Sequence, residues 1–286
     1  MNIVINFDKP KNITSQQAVS KVKKLFAAGK AGHAGTLDPI ATGVLIICLN
    51  EATKITRFLA DLDKEYVVRL KLGEKTDTYD SSGRIIEKTY CPVLKETDVH
   101  DVLNNFVGRI KQVPPMYSAI KFEGKPLYKL ARMGINIERP ERIIHIYEMD
   151  LMRFKFPYLD LRVLCSKGTY IRTLCDDIGN ALGVGAHMVS LERTRIGTFE
   201  IKDSASINNL KNACHSIDSA ISHLPEIILD ENSYHKARNG MPIKTDNKNY
   251  HINQYIRLKS PEKVLFGIGM IEGNNVGIER LLNILP

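Results

Sequence analysis

One stretch concentrates the groups that could do chemistry. Gly32-His33-Ala34-Gly35-Thr36-Leu37-Asp38-Pro39-Ile40-Ala41-Thr42-Gly43 is followed at once by the apolar run Val44-Leu45-Ile46-Ile47-Cys48-Leu49. Pro39 fixes its own φ and pushes the backbone of Asp38 towards extended geometry, while the glycines allow close approach. A short carboxylate on a stiffened loop at the mouth of a buried strand is a mount for chemistry, although Asp-Pro and Gly clusters also mark ordinary turns. Other chemistries find no support. The histidines (His33, His100, His145, His187, His215, His223, His235, His251) form no H-E-x-x-H or comparable ligand spacing. G-x-G-x-x-G after a strand, the Walker A sequence and G-x-S-x-G are all absent. Gly-Thr-Leu-Asp has the wrong order for a phosphotransfer loop, where the nucleophilic Asp precedes Gly-Thr. A carboxylate enzyme without a cofactor or metal remains, or a binding protein.

Composition narrows the partners. The 286 residues suffice for one large domain and a small one. The hydrophobic share of 43% and charged share of 25% are those of a soluble globular chain. Forty Lys and Arg against 32 Asp and Glu give +8, a balance that suits a polyanion or serves solubility alone. Cys48, Cys91, Cys165, Cys175 and Cys214 are odd in number and form no C-x-x-C pair, which fits a reducing cytosol and a cytoplasmic location. The N-terminus lacks the basic and apolar regions of a signal peptide, and no run of about 18 apolar residues exists, so no membrane is expected.

The elements that must position the loop follow from pattern. Ile3 to Phe7 reads as a buried strand. Thr14 and Gln17 make a capping box for a helix with Ala18, Val19, Val22, Leu25 and Phe26 on one face, stopped at Gly29. Ala52 to Leu62 is helical by spacing. Tyr66 to Leu72 alternates as a half-exposed strand, with Arg84 to Tyr90 as its expected partner. Between them, Asp77 and Asp80 read either as paired carboxylates or as Asx-turn residues. Thr97 is the expected cap of a helix with Val99, Val102, Leu103 and Phe106 inward. Ile143 to Phe156, Tyr158 to Cys165 and His187 to Ile201 read as strands, and Tyr170 to Leu182 and Ser206 to Leu224 as helices. Beyond Pro225, short apolar runs separated by turns predict a small all-β module.

Residues 121–145 are locally basic: Lys121, Lys125, Lys129, Arg132, Arg139 and Arg142 against Glu123, Glu138 and Glu141, with Tyr117 and Tyr128 nearby. Cations interleaved with aromatics suit an RNA backbone with exposed bases. A solvated amphipathic helix is the competing reading.

Four stretches together resemble the bacterial tRNA pseudouridine synthases of the TruB family. They are Asp8-Lys9-Pro10 through Thr14-Ser15; Gly32 through Leu45, continued by Glu51-Ala52-Thr53-Lys54; Pro114-Pro115-Met116-Tyr117-Ser118-Ala119-Ile120-Lys121; and Cys165-Ser166-Lys167-Gly168-Thr169-Tyr170-Ile171-Arg172-Thr173-Leu174 with Asp177-Ile178-Gly179 and Leu191-Glu192-Arg193-Thr194. Asn12 and Asn50 stand where the family usually has Gly. Asn is the next most tolerant residue at positive φ.

The resemblance implies an α+β fold. Its central sheet is mixed but mainly antiparallel and flanked by helices, over residues 1–224, and a PUA-like RNA-binding module follows over 225–286. It implies isomerisation of uridine to pseudouridine at position 55 in the T-loop of tRNA, by a monomer that needs no cofactor. Asp38 would be the nucleophile, attacking the sugar C1′ or the base C6, or would remove a sugar proton. Arg172 would be its counter-charge, and Tyr66 would stack on the extruded base and help remove the C5 proton. Tyr170 and Leu191 would line the opposite wall, and His33 would fill the gap left in the RNA. Lys121, Lys125, Lys129 and Arg132 would hold the RNA backbone. A non-catalytic RNA-binding protein and a guide-RNA-dependent subunit are the alternatives.

Overall fold

The computed structural model describes residues 1–90, 94–245 and 250–283, which leaves Cys91 outside the described residues. β1 (Ile3–Lys9) is followed by α1 (Ser15–Leu25), where Thr14 and Gln17 form the expected capping box. Ala18, Val19 and Val22 are buried, but Leu25 is 58% exposed. The chain turns at Ala27 (φ 47°), ahead of Gly29, and Phe26 packs on the core where Leu25 does not.

β2 (Ala31–Ala34) and β3 (Thr42–Leu49) pair antiparallel, which makes the Asp38 stretch the connection of a hairpin. β3 is buried almost throughout, as an unbroken apolar run requires. Asn12 (φ 69°) and Asn50 (φ 51°) both adopt the left-handed geometry expected of them. The Asn50 carboxamide also accepts from the amides of Gly29 and Lys30 and donates to the Met1 carbonyl. A 3₁₀ turn, Asn50–Ile55, leads into α2 (Thr56–Ala60).

β4 (Lys64–Leu72) alternates as its sequence predicts. Its expected partner pairs elsewhere: β5 (Glu74–Thr76) and β6 (Ile85–Lys88) form a separate ribbon, because strands from later in the chain occupy both edges of β4. α3 (Glu96–Asn104) starts before Thr97, with the Asp98 carboxylate accepting from the Lys95 amide. β7 (Gly108–Gln112), a proline-containing segment, the hairpin of β8 (Lys121–Phe122) and β9 (Lys125–Pro126), and α4 (Leu127–Arg132) follow. Then come β10 (Arg142–Lys155), β11 (Tyr158–Cys165), α5 (Ile171–Ala181), β12 (Ala186–Ile196) and β13 (Phe199–Glu200).

Residues 206–224 are not one helix. They divide into a 3₁₀ turn (Leu210–Ala213), β14 (Cys214–Ser216) and α6 (Ile217–Ala220). Leu210, Ala213, Ile217 and Ala220 are buried, so their helical spacing reflects burial without continuous helix; the free edge of β1 captures residues 214–216. Beyond Pro225 the expected sheet is present, formed by β15 (Glu226–Ile228), β16 (Ile243–Lys244), β17 (Tyr255–Lys259), β18 (Leu265–Glu272) and β19 (Asn275–Leu281). It also carries α7 (Glu231–Arg238), capped by the Asp230 carboxylate accepting from the Ser233 amide. No helix among the described residues is long and apolar enough to cross a membrane.

The main sheet runs β14-β1-β3-β12-β4-β11-β10-β7, with β2 on β3 and β13 on β12. All its pairings are antiparallel except one. β3 and β12 meet in parallel over just two register pairs, Glu192 opposite Thr42 and Arg193 opposite Gly43. The sheet is therefore two antiparallel halves joined at a short seam, and the Asp38 loop enters β3 at that seam. One face packs on α1, α3 and α5 around Leu45, Ile47, Val68, Leu161, Leu174 and Ile178. The opposite face of β1 and β3 buries Val4, Val44 and Ile46 with Leu265, Ile268 and Leu282 of the C-terminal sheet.

Gly43 closes the seam at φ 95°, and a Cβ there would lie 2.3 Å from the Arg193 carbonyl oxygen. Gly183, just beyond α5, has φ 74° with open space around it. Gly43→Ala is expected to lower stability by about 3 kcal/mol, from overlap and backbone strain together. Gly183→Ala should cost about 1 kcal/mol, from strain alone. Urea unfolding of the two variants measures the difference, and equal costs would mean that the seam accommodates a side chain.

Candidate active site

The Asp38 loop is pinned on both sides of the carboxylate. The buried Ser15 hydroxyl, at the start of α1, donates to the Leu37 carbonyl (2.9 Å) and accepts from the Leu37 amide (2.8 Å). The Asn12 amide holds the Pro39 carbonyl at 2.7 Å, and the Ala41 amide closes a turn on the Asp38 carbonyl at 3.1 Å. Leu37 is buried in the core, so Asp38 hangs between two anchored neighbours. Lys9, fully buried at the end of β1, donates from Nζ to the carbonyls of Pro10 and Ile13 at 2.9 Å each. Burial pushes its ammonium down to about 8, and the Asp38 charge pulls it back up.

Arg172, in the first turn of α5, meets Asp38 side on. Its Nε lies 2.9 Å from Oδ2 and its Nη2 3.4 Å from Oδ1, a two-point contact that fixes the carboxylate plane. The rest of the guanidinium is also spoken for. Nη2 donates to the Tyr117 carbonyl at 2.7 Å, Nη1 to the Thr78 carbonyl at 3.3 Å, and Nη1 lies 3.7 Å from Asp80 Oδ2. The side chain of Arg172 is 7% exposed and that of Asp38 34%, so the pair presents its carboxylate to the cleft and keeps its cation beneath. Burial raises the Asp38 carboxyl above its ordinary value. The Arg172 charge and hydrogen bond and the Lys9 charge oppose that rise, while Asp80 adds to it. The expectation that the arginine lowers this group holds for the arginine's own contribution, and burial outweighs it.

Tyr66 lies on β4, buried in the core and opposite Arg193 of β12 in register. Burial raises its phenol, and the Asp38 charge raises it further. Leu191, also on β12, is buried opposite Val68. Tyr170 is the cap residue of α5, and its amide and carbonyl are both held by the Gln112 carboxamide. His33, half-buried on β2, has a buried Nδ1 with no hydrogen-bond partner among the described residues. Burial and then the Arg193 charge lower its pKa.

Lys121, Lys125, Lys129 and Arg132 stand apart from this cluster. They are exposed on β8, β9 and α4, and none has a carboxylate partner among the described residues. Their segment hangs from the same stretch that anchors Arg172: the Leu127 amide bonds the Ile120 carbonyl and the Tyr128 amide bonds the Ser118 carbonyl. The structure thus brings Asp38 and Arg172 into direct contact, with Tyr66 and Tyr170 near enough to feel the Asp38 charge.

Two site residues were given no role from sequence. Asp80 does make an Asx turn, since its Oδ1 accepts from the Ser82 amide at 2.9 Å, yet its Oδ2 faces Arg172. The Asx-turn alternative holds for Asp80, while Asp77 turns to the Arg84 amide and guanidinium instead of sharing a site with it. Arg193 is 1% exposed and donates to the Val44 carbonyl (2.8 Å) and the Gly35 carbonyl (3.0 Å), bracketing the Asp38 loop at both ends. Its spacing of two from the inward Leu191 on one strand was the available signal. Among the described residues no group of three or more His, Cys, Asp or Glu could hold a metal ion.

A family model described as TruB family pseudouridylate synthase (N terminal domain) matches residues 23–171. A second, described as tRNA pseudouridylate synthase B C-terminal domain, matches residues 172–233. A protein of Haemophilus influenzae (strain PittEE) named tRNA pseudouridine synthase B is 42% identical over 291 residues, covering 98% of this chain and 94% of that protein. The protein of that name from Clostridium tetani (strain Massachusetts / E88) is 43% identical, covering 99% of this chain and all of its own length. Among solved structures, one described as a Cbf5-Nop10-Gar1 complex superposes with a TM-score of 0.76 at 26% identity, covering 98% of this chain and 84% of that one. With two family models meeting at Arg172 and relatives that match nearly end to end, the chain belongs to the TruB family of pseudouridylate synthases.

Proposed function

We propose that this protein is a tRNA pseudouridine synthase that isomerises uridine 55 in the T-loop, with Asp38 as the nucleophile. The observation that carries the reading is the two-point Asp38–Arg172 contact at the seam of the sheet. The reaction needs an ionised carboxylate against the nucleotide while the base excludes water, and burial works against ionisation. A guanidinium locked to Asp80 and to the Thr78 and Tyr117 carbonyls supplies the opposing charge without having to move. The N1–C1′ bond breaks, uracil turns within the pocket, C5 joins C1′, and the C5 proton is given up as N1 gains one. The change is an isomerisation with no redox or hydrolysis.

Tyr66 is assigned the face on which the flipped base stacks, and Tyr170 and Leu191 the opposite wall. Stacking of this kind contributes about 1–3 kcal/mol per base, which offsets the few kcal/mol of extrusion. His33 is assigned the gap that the flipped nucleotide leaves in the RNA. The relatives named tRNA pseudouridine synthase B, closer in sequence than the Cbf5 complex, support tRNA as the substrate, and we assign the enzyme to the T-arm as a standalone monomer. We further assign residues 1–224 to catalysis and 225–286 to a PUA-like RNA-binding module, and place the enzyme in the cytoplasm.

Asp38→Asn is expected to abolish tritium release from tRNA transcripts carrying 5-³H-uridine while leaving tRNA affinity nearly unchanged. Turnover by the wild type with no added component, mapped to position 55, excludes both the non-catalytic and the guide-dependent readings. Substantial turnover by Asp38→Asn would sink the nucleophile.

The pH profile tests the counter-charge. Because burial raises the Asp38 carboxyl, kcat/KM should rise with pH through a midpoint above that of an exposed aspartate. Removing a cation favours the protonated form, so Arg172→Gln should move this acid limb to higher pH. Removing a like charge does the opposite, so Asp80→Asn should move it to lower pH. Shifts of the same sign in both variants would refute the electrostatic account.

The basic segment predicts a salt effect. Replacing Lys121, Lys125 and Lys129 by Ala should reduce the slope of log affinity against log salt by about 2–3, with kcat at saturating tRNA little changed. An unchanged slope would mean that these lysines are solvated surface.

A further inference from the structure

Helix α5 has no cap of its own. The residue before it is Tyr170, in extended geometry, and its side chain makes no capping hydrogen bond. Helix starts ordinarily carry Ser, Thr, Asp or Asn at that place. Thr169, the nearest such residue, donates to the Ser166 carbonyl instead. The start of α5 is fixed from 58 residues away. Gln112, at the end of β7, accepts from the Tyr170 amide through Oε1 at 2.8 Å and donates from Nε2 to the Tyr170 carbonyl at 3.1 Å. That carbonyl also accepts the first helical hydrogen bond, from the Leu174 amide at 3.0 Å. One buried carboxamide, 2% exposed, therefore decides where α5 begins.

Arg172 is the second residue of the helix so placed, and a shift of the first turn moves the guanidinium that meets Asp38 at two points. Gln112 also roots the segment on the other side of that guanidinium. It stands opposite Arg142 in the end pair of β7 and β10, so residues 113–141 leave and rejoin the sheet there. Beyond Pro114 and Pro115, which stiffen the backbone, the Tyr117 carbonyl takes Arg172 Nη2 at 2.7 Å. A ring is closed from Gln112 through Tyr170 and Arg172 to Tyr117 and back along the chain. The other half of the pair is held in the same way, since the Ser15 hydroxyl ties the amide and carbonyl of Leu37, next to Asp38. Both side-chain hydrogen bonds of Gln112 end on Tyr170, and its burial keeps it from the RNA. We propose that Gln112 is a positioning residue for the isomerisation, setting the first turn of α5 so that Arg172 meets Asp38 at two points. That role rests on the reading that Asp38 acts as an ionised carboxylate.

Tritium release from tRNA carrying 5-³H-uridine is followed across pH, with kcat and KM separated, for the wild type, Gln112→Met, Gln112→Asn and Asn6→Leu. Gln112→Met fills similar space without either hydrogen bond. It should lower kcat about 10–100-fold, the loss expected of a misplaced group at a reacting centre, with KM for tRNA little changed. Its acid limb should move to higher pH, because Arg172 then opposes the burial of Asp38 less well. Lys9 and Asp80, the other charges acting on the carboxylate, stay in place, and the phenols of Tyr66 and Tyr170 nearby are raised by burial. Gln112→Asn keeps a carboxamide one methylene short and should shift the limb in the same direction. Asn6, 1% exposed, donates to the Glu200 carbonyl at 2.9 Å, away from α5. Asn6→Leu should lower the urea midpoint and leave the limb where the wild type has it. An unmoved limb in both Gln112 variants, or an equal shift in Asn6→Leu, would overturn the positioning role. Asp38→Asn judges the nucleophile separately: turnover there sinks that reading, whereas an inactive Asp38→Asn with unmoved limbs in the Gln112 variants sinks the role of Gln112 alone.

Discussion

The site depends on four cations that the fold removes from water. Lys9, Arg193, Lys64 and Arg172 are between 0% and 6% exposed. Desolvating a charge costs several kcal/mol unless polar partners are in place. Here the partners are mostly backbone carbonyls on connecting segments: Pro10 and Ile13 for Lys9, Gly35 and Val44 for Arg193, Ala60 and Leu62 for Lys64, Thr78 and Tyr117 for Arg172. No one of these segments can relax alone, because moving a carbonyl strands a buried charge. Rigidity is thereby imposed on loops, the part of a protein that otherwise has least of it. It also leaves positive charge in excess beneath one cleft, where Asp38 and Asp80 are the carboxylates that Arg172 meets.

That interior set differs in kind from the lysines on residues 121–132. Exposed charges are screened over about 8 Å at physiological salt, and buried ones far less. Of the buried set, Arg172 and Lys9 act on the ionisation of Asp38. The two sets are joined through the stretch that supplies Ser118 and Ile120 carbonyls to the outer segment and the Tyr117 carbonyl to Arg172.

Much of this was legible in the sequence where a signal was local. The capping box at Thr14, the buried run at 44–49 and the left-handed Asn12 and Asn50 each follow from a few neighbouring residues. Asp38, Arg172 and Tyr170 were visible because they lie inside motifs, and Tyr66 through the family resemblance. What local pattern could not give was pairing across distance. The edge strand 214–216 is β because β1 offers a free edge, and β4 pairs with β11 and β12 because the chain returns to it after the basic segment. Asp80 carried a complete local explanation as an Asx residue, which concealed its second oxygen. Arg193 read as polar on a strand, and its burial makes sense only once Gly35 and Val44 are known to present carbonyls to it.

The seam explains why these groups meet where they do. β1 pairs antiparallel with β3 from Gly43 to Cys48 and β2 from Ile46 to Leu49, so the entry of β3 is the part left for β12. The parallel contact between β3 and β12 lasts two register pairs and ends at Gly43. There the Arg193 backbone comes so close that only a glycine fits, while the Arg193 side chain reaches back to Gly35. One residue therefore fixes the end of the Asp38 loop by its backbone and the start of it by its guanidinium. Tyr66 stands across the strand from it, its phenol kept protonated by burial and by the Asp38 charge. Burial thus raises both the Asp38 carboxyl and the Tyr66 phenol, and the same buried cations oppose it at each group: Arg172 and Lys9 at the carboxylate, Arg193 at the phenol.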